Sequence, residues 1–152
     1  MLKLTGIILE LLYDIDMLQM VNRGIRGGVS MISRHYAKAN NKYMKETYNP
    51  SQPSNFITYL DANNLYGWAM IQKLPTHGFK WMTEDELENW RNMPSGEGCI
   101  LQVHQEYTKS LHDLHNEYPL APKNMKPPGS NVAKLIPNLY DKKRYVVHYE
   151  TL

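Results

Sequence analysis

Residues 59–70 read YLDANNLYGWAM and directly follow Phe56-Ile57-Thr58. The run Phe-Ile-Thr-Tyr-Leu is β-branched and aromatic, which predicts a strand over residues 56–61, bounded by Asn55 and Asp61. An aspartate at the end of a buried strand costs free energy unless something uses it. The residues admit two uses. In one, the Asp61 carboxylate binds a hard cation such as Mg²⁺. Backbone N–H groups of the following turn, where Asn63, Asn64 and Tyr66 sit, then hold a triphosphate. In the other, Asp61 caps the next helix and Asn63-Asn64 are ordinary turn residues. Residues 65–72 are short and apolar, enough for one or two helical turns.

Working outward, residues 4–13 mix leucine with β-branched residues and predict a strand and a turn. Asp14-Ile15-Asp16 is a helix start, since aspartate satisfies free N–H groups and suits the positive end of the helix dipole. Met17, Met20 and Val21 fall at helical spacing, and the helix should stop near Gly24. Gly27-Gly28 marks a sharp turn or a close approach of backbone. Residues 29–33 predict a strand, and the polar, aperiodic stretch 37–53 predicts a loop. Thr83-Glu84-Asp85-Glu86 matches a capping box and predicts a helix to about residue 92, stopped by Pro94 and Gly96. Residues 99–107 alternate and predict a strand, 110–120 a weak helix or turn segment, the proline-rich stretch 119–137 a loop, and 145–149 (YVVHY) a last strand. The fold class expected is α+β, antiparallel strands with flanking helices and long loops, with no internal repeat.

A chain of 152 residues suffices for a domain with a real core, and 42% apolar with 21% charged residues excludes global disorder. The net charge of +2 is too small to imply a polyanionic partner, but its distribution is uneven. Six basic residues (Arg23, Arg26, Arg34, Lys38, Lys42, Lys45) occur over 23–45 with no carboxylate, interleaved with Tyr36 and Tyr43. Such a stretch is either a solvated face with core tyrosines or a surface for phosphates and stacked bases. A single cysteine, Cys99, excludes a disulfide framework and a cysteine-based zinc site, and fits an intracellular, reducing compartment. The N-terminal apolar run is broken by Glu10 and ends in Asp14 and Asp16, so neither a membrane span nor a signal peptide is expected. Met1 opens almost directly into structured-looking sequence, which suggests truncation. His112-x-x-His115 with His104 has metal-ligand spacing, but six histidines make that spacing common, and no zinc is expected.

The stretch Tyr59-Leu60-Asp61-Ala62-Asn63-Asn64-Leu65-Tyr66 resembles the first catalytic motif of family B DNA polymerases, Asp-x-x-Ser-Leu-Tyr-Pro. It is most similar to the protein-primed branch of viruses, linear plasmids and Maverick/Polinton-type transposons, in which Asn for Ser and Gly for Pro are familiar. The likeness extends to residues 24–28 (GIRGG), 35–41 (HYAKANN), Leu74-Pro75, 78–81 (GFKW), 111–115 (LHDLH), 118–122 (YPLAP) and 143–149. It therefore covers most of the chain. Two departures stand out: Ile25 replaces the tyrosine of a Tyr-x-Gly-Gly motif, and His104 stands where relatives carry aspartate.

The resemblance implies a polymerase palm, with residues 1–54 as a segment before the motif that holds the glycine DNA-contact turn. Residues 55–82 would form the first catalytic motif and 83–152 an insertion-like segment after it. Asp61 would be catalytic and, with the Ala62 carbonyl, a ligand of two Mg²⁺ ions. Asn64, Leu65 and Tyr66 would bind the triphosphate, with the Tyr66 ring excluding a ribose 2′-hydroxyl. Arg26, Gly27 and Gly28 would contact DNA, joined by Arg34 and Lys38 of the basic stretch. The implied partners are template–primer DNA, deoxynucleoside triphosphates and a terminal protein primer, with the nucleus or a viral replication site as location. The motifs carrying the family's second catalytic carboxylate and its triphosphate-gripping helix are absent, as are those of its proofreading exonuclease. The expectation is a partial palm, inactive alone. The other expectation kept is a non-catalytic remnant that holds single-stranded nucleic acid.

Overall fold

The computed structural model describes residues 2–152. Among the described residues five short α-helices occur, α1 (Leu2–Thr5), α2 (Ile15–Gly24), α3 (Leu65–Met70), α4 (Glu84–Glu88) and α5 (Lys109–His115). Four strands, β1 (Ile100–Gln105), β2 (Lys123–Met125), β3 (Lys134–Ile136) and β4 (Lys142–His148), pair antiparallel as β1–β4 and β2–β3. The class is mixed α+β. The chain divides into two units, Met31–Lys73 and the remainder.

In the sheet unit, Cys99, Leu101, Tyr145 and Val146 are buried. Asp14 starts α2 as its sequence predicts: Oδ1 accepts from Asp16 N (2.8 Å) and Met17 N (3.2 Å). Its second oxygen accepts from Trp81 Nε1 at 2.9 Å, so one carboxylate both caps the helix and ties the segment before α4 to it. These bonds favour the ionised form and hold the Asp14 carboxyl below its ordinary value, the Trp81 bond contributing most. The helix ends at Gly24, where the backbone lies against Val146. A Cβ on residue 24 would stand 3.2 Å from Val146 Cγ1.

The β1–β4 ladder runs from Ile100↔His148 to Val103↔Tyr145 and then shifts to Gln105↔Lys142. One residue of β1, His104, thus opposes two of β4, Lys143 and Arg144, and Arg144 takes left-handed backbone at φ 50°. The bulge lets Lys142 and Tyr145, three apart, both turn inward. Lys142 is 1% exposed, and its ammonium donates to the carbonyls of Asn138 (2.8 Å) and Tyr140 (2.7 Å) and to Asn138 Oδ1. Burial, with Lys123 nearby, pushes its pKa below the usual lysine value.

The capping box at Thr83 forms as expected, with Lys80 paired to Glu86 at 2.6 Å. The helix predicted to residue 92 is shorter: α4 gives way to a 3₁₀ turn at Trp90–Asn92. Strands predicted at 4–13, 29–33 and 56–61 do not form among the described residues. Residues 4–13 instead hold the end of α1 and an extended stretch joined to Thr76 by one bond, Glu10 N to Thr76 O (2.8 Å). Strand propensity needs a partner backbone to act on, and residues 56–61 lie exposed. Conversely, the proline-rich stretch 119–137, predicted a loop, contains the β2–β3 pair. Three residues are too few to display a two-residue period.

Candidate nucleotide and metal site

All of the residues expected to bind metal and nucleotide belong to the unit Met31–Lys73. Asp61 is exposed, in irregular backbone two residues before a turn. It does not cap the helix that follows. Asn64 does, from left-handed backbone (φ 53°, ψ 43°), its Oδ1 accepting from Gly67 N at 3.3 Å. Its side chain folds back so closely that a Cβ on residue 67 would collide with it, which gives Gly67 a local reason. Trp68 N donates to the Asn64 carbonyl at 3.0 Å. Among the described residues, the Asp61 carboxylate and the Leu65 and Tyr66 N–H groups have no partner. Tyr66 is 87% exposed.

The sequence placed Asp61 at a strand end and left two uses for it. The strand is absent, and the capping use falls to Asn64. What stands at 61–66 is an unengaged carboxylate, a carbonyl at Ala62 and a short helix start with two open N–H groups. Hard oxygen donors of this kind suit Mg²⁺. Among the described residues no three His, Cys, Asp or Glu side chains converge on one point.

The DNA-contact candidates are split between the units. Arg34 and Lys38 lie exposed in the same unit as Asp61. Arg26, Gly27 and Gly28 lie in the sheet unit. Gly28 has φ +74°, and a Cβ at either glycine would meet nothing within 4 Å, so the turn's backbone is open to approach. Arg26 is otherwise engaged. Its guanidinium stacks 3.8 Å from the Tyr145 ring centroid, and Nη1 donates to the carbonyls of Val146 (2.7 Å) and Gly24 (3.1 Å). The charge expected on phosphate fastens the end of α2 to β4. Tyr145 was legible as a strand residue, but nothing in the sequence pairs it with Arg26 across 119 positions.

The histidines hold a tyrosine. The Tyr107 hydroxyl is hydrogen-bonded to His115 Nδ1 (2.6 Å) and accepts from Leu120 N (3.3 Å), while His112 Nε2 bonds the Tyr107 carbonyl (3.2 Å). Both rings meet Tyr107 edge-on. His104 lies on the exposed face of β1. Cys99 is buried, and burial pushes its thiol up, away from nucleophilic use.

Neither a family model, nor a curated protein, nor a solved structure matches this chain. Among the described residues no helix is long and apolar enough to cross a membrane.

Proposed function

We propose that this chain is part of the palm of a family B, protein-primed DNA-directed DNA polymerase, carrying the first catalytic aspartate. The single observation that carries the reading is that Asp61 is accessible and unengaged while Asn64 caps α3. The competing use of the carboxylate is thereby taken by another residue. Asp61 and the Ala62 carbonyl would hold Mg²⁺, and Asn64, Leu65 and Tyr66 would meet the triphosphate of an incoming deoxynucleotide. Bound Mg²⁺ would supply the charge that activates a primer hydroxyl and steadies the leaving pyrophosphate. A two-ion site takes carboxylates from more than one segment, so the chain alone is proposed to bind nucleotide without turning it over.

Paramagnetic broadening tests this directly. Mn²⁺ with a deoxynucleoside triphosphate should broaden the backbone amides of residues 61–66, and Asp61→Asn should abolish the effect. Equal broadening in Asp61→Asn would remove the proposal's basis. The nucleotide sequence flanking the coding segment gives an independent check. It should continue into the second carboxylate motif and the triphosphate-gripping helix.

A second reading, a holder of single-stranded nucleic acid, is favoured by one feature of the same unit. Tyr36 and Tyr43, in the basic stretch, are 79% and 72% exposed, so they are not core tyrosines. Salt-sensitive binding indifferent to Asp61→Ala would support it.

A further inference from the structure

Residues 40–55 form a loop that is organised from the inside by amides. At its neck Asn40 and Asn55 pair through both backbone bonds, 3.2 and 2.8 Å. The Asn40 side chain is buried in the loop. Nδ2 faces the carbonyls of Asn49 (3.0 Å), Gln52 (3.3 Å) and Pro53 (3.2 Å), and Oδ1 accepts from Asn49 N (2.9 Å). Asn41, also buried, donates to Asn55 O (3.0 Å) and accepts from Tyr43 N (3.1 Å). Loops closed at the neck and filled by their own side chains are frequently functional.

The outside of the loop has a different character. Tyr43 presents its ring to solvent from the start of the 3₁₀ turn Lys42–Thr47. The Lys42 ammonium stands 5.3 Å from the ring centroid, and Lys45 follows at a kink with φ 49°. No carboxylate occurs from Met31 to Lys45. A mounted aromatic ring in a turn with two lysines, where Glu46 is the one carboxylate, matches a base and its flanking phosphates.

We infer that Tyr43 is a base-stacking platform for single-stranded nucleic acid, held in register by the Asn40 clasp, with Lys42 and Lys45 on the phosphates. The inference rests on the second reading above. Asn40 is a positioning residue, since its side chain is spent inside the loop and acts through Tyr43. The platform does not distinguish DNA from RNA by itself, because every base offers a stackable face.

The test is fluorescence anisotropy of the full chain with labelled oligo-dT and oligo-rU of about 20 nucleotides, from about 25 to 200 mM salt. Tyr43→Ala should weaken binding about tenfold and Tyr43→Trp should retain it. Lys42→Ala should flatten the log–log salt slope by about 0.7. Asn40→Asp should weaken binding as much as Tyr43→Ala, and the double variant no further than either alone. Absence of binding to either oligomer at the lowest salt overturns the second reading and the inference together. Binding that survives Tyr43→Ala overturns the inference alone. Fully additive losses in the double variant overturn the role given to Asn40.

Discussion

The two units of this protein are held together by different physics. The sheet unit buries Leu101, Tyr145 and Val146, and fits a lysine among them by giving its ammonium three acceptors. The unit Met31–Lys73 buries no apolar side chain; its buried residues are Asn40 and Asn41. Charge divides in the same way. Residues 31–73 carry five Lys or Arg against two carboxylates, and the rest of the chain twelve against thirteen. Apolar burial is non-directional and stabilises a whole sheet cooperatively. Side-chain amides are directional and fix only the loop they bridge. The unit that carries the Asp61 motif and the basic, aromatic loop is thus ordered locally while its tyrosines and apolar side chains stay in solvent.

That contrast can be broken in order of expected effect. Lys142→Met should cost the most, about 3 kcal/mol, because it strands two carbonyls and an amide oxygen beside the Tyr107 ring. Hydrogen exchange should quicken across β1 and β4 and leave residues 40–55 unchanged. Asn40→Asp should cost about 2 kcal/mol in the other unit, since it turns a donor facing three carbonyls into an acceptor. The loss is smaller because the loop can open to water without unfolding the sheet. Exchange should quicken over 40–55 alone. If either substitution loosens both units equally, their independence is wrong.

Arg26→Ala should cost about 1.5 kcal/mol, from the ring stack and the bond to Val146. It should leave the salt slope of nucleic-acid binding unaltered. A slope that falls would return Arg26 to phosphate. Asn64→Ala should cost about 1 kcal/mol of helix stability at α3. Amide shifts confined to residues 64–70 would sharpen the account of that cap.

The smallest effect is on acid stability. Asp14 and Glu86 both sit below their ordinary values, through the Trp81 and Lys80 bonds respectively. Because the folded value is the lower one, their contribution is whole above the ordinary carboxylate range and is lost as pH falls through the depressed value. Amide shifts of Met17 and Glu86 should report that step, and Trp81→Phe should move only the first. Both carboxylates belong to the sheet unit, so residues 40–55 should keep their amide pattern through it.

Much of the helix punctuation was readable. The Asp14 cap and the Thr83–Glu86 box act through neighbours within a few residues, which a linear reading can see. The strand at 99–107 was readable from alternation and the last strand from the run YVVHY at 145–149. The bulge at Arg144 was not, since it follows from register between segments some forty residues apart. The reading failed most at 56–61, where propensity was sound and a partner backbone was lacking. At Asp61 the expected strand end is instead an exposed carboxylate before a turn, with Asn64 doing the capping.

The sequence by itself determined the α+β class, the start and stop of α2, the start of α4, and a motif in which Asp61 precedes a turn. These depend on backbone preference and on side chains reaching two to four residues along the chain. Only the tertiary structure decided that Arg26 stacks on Tyr145, that Lys142 is buried, that His112 and His115 serve Tyr107, and that Asn40 closes a loop presenting Tyr43. Each of these depends on which partner a donor, ring or charge finds in space, and that choice is made by chain topology rather than by any residue's own preference.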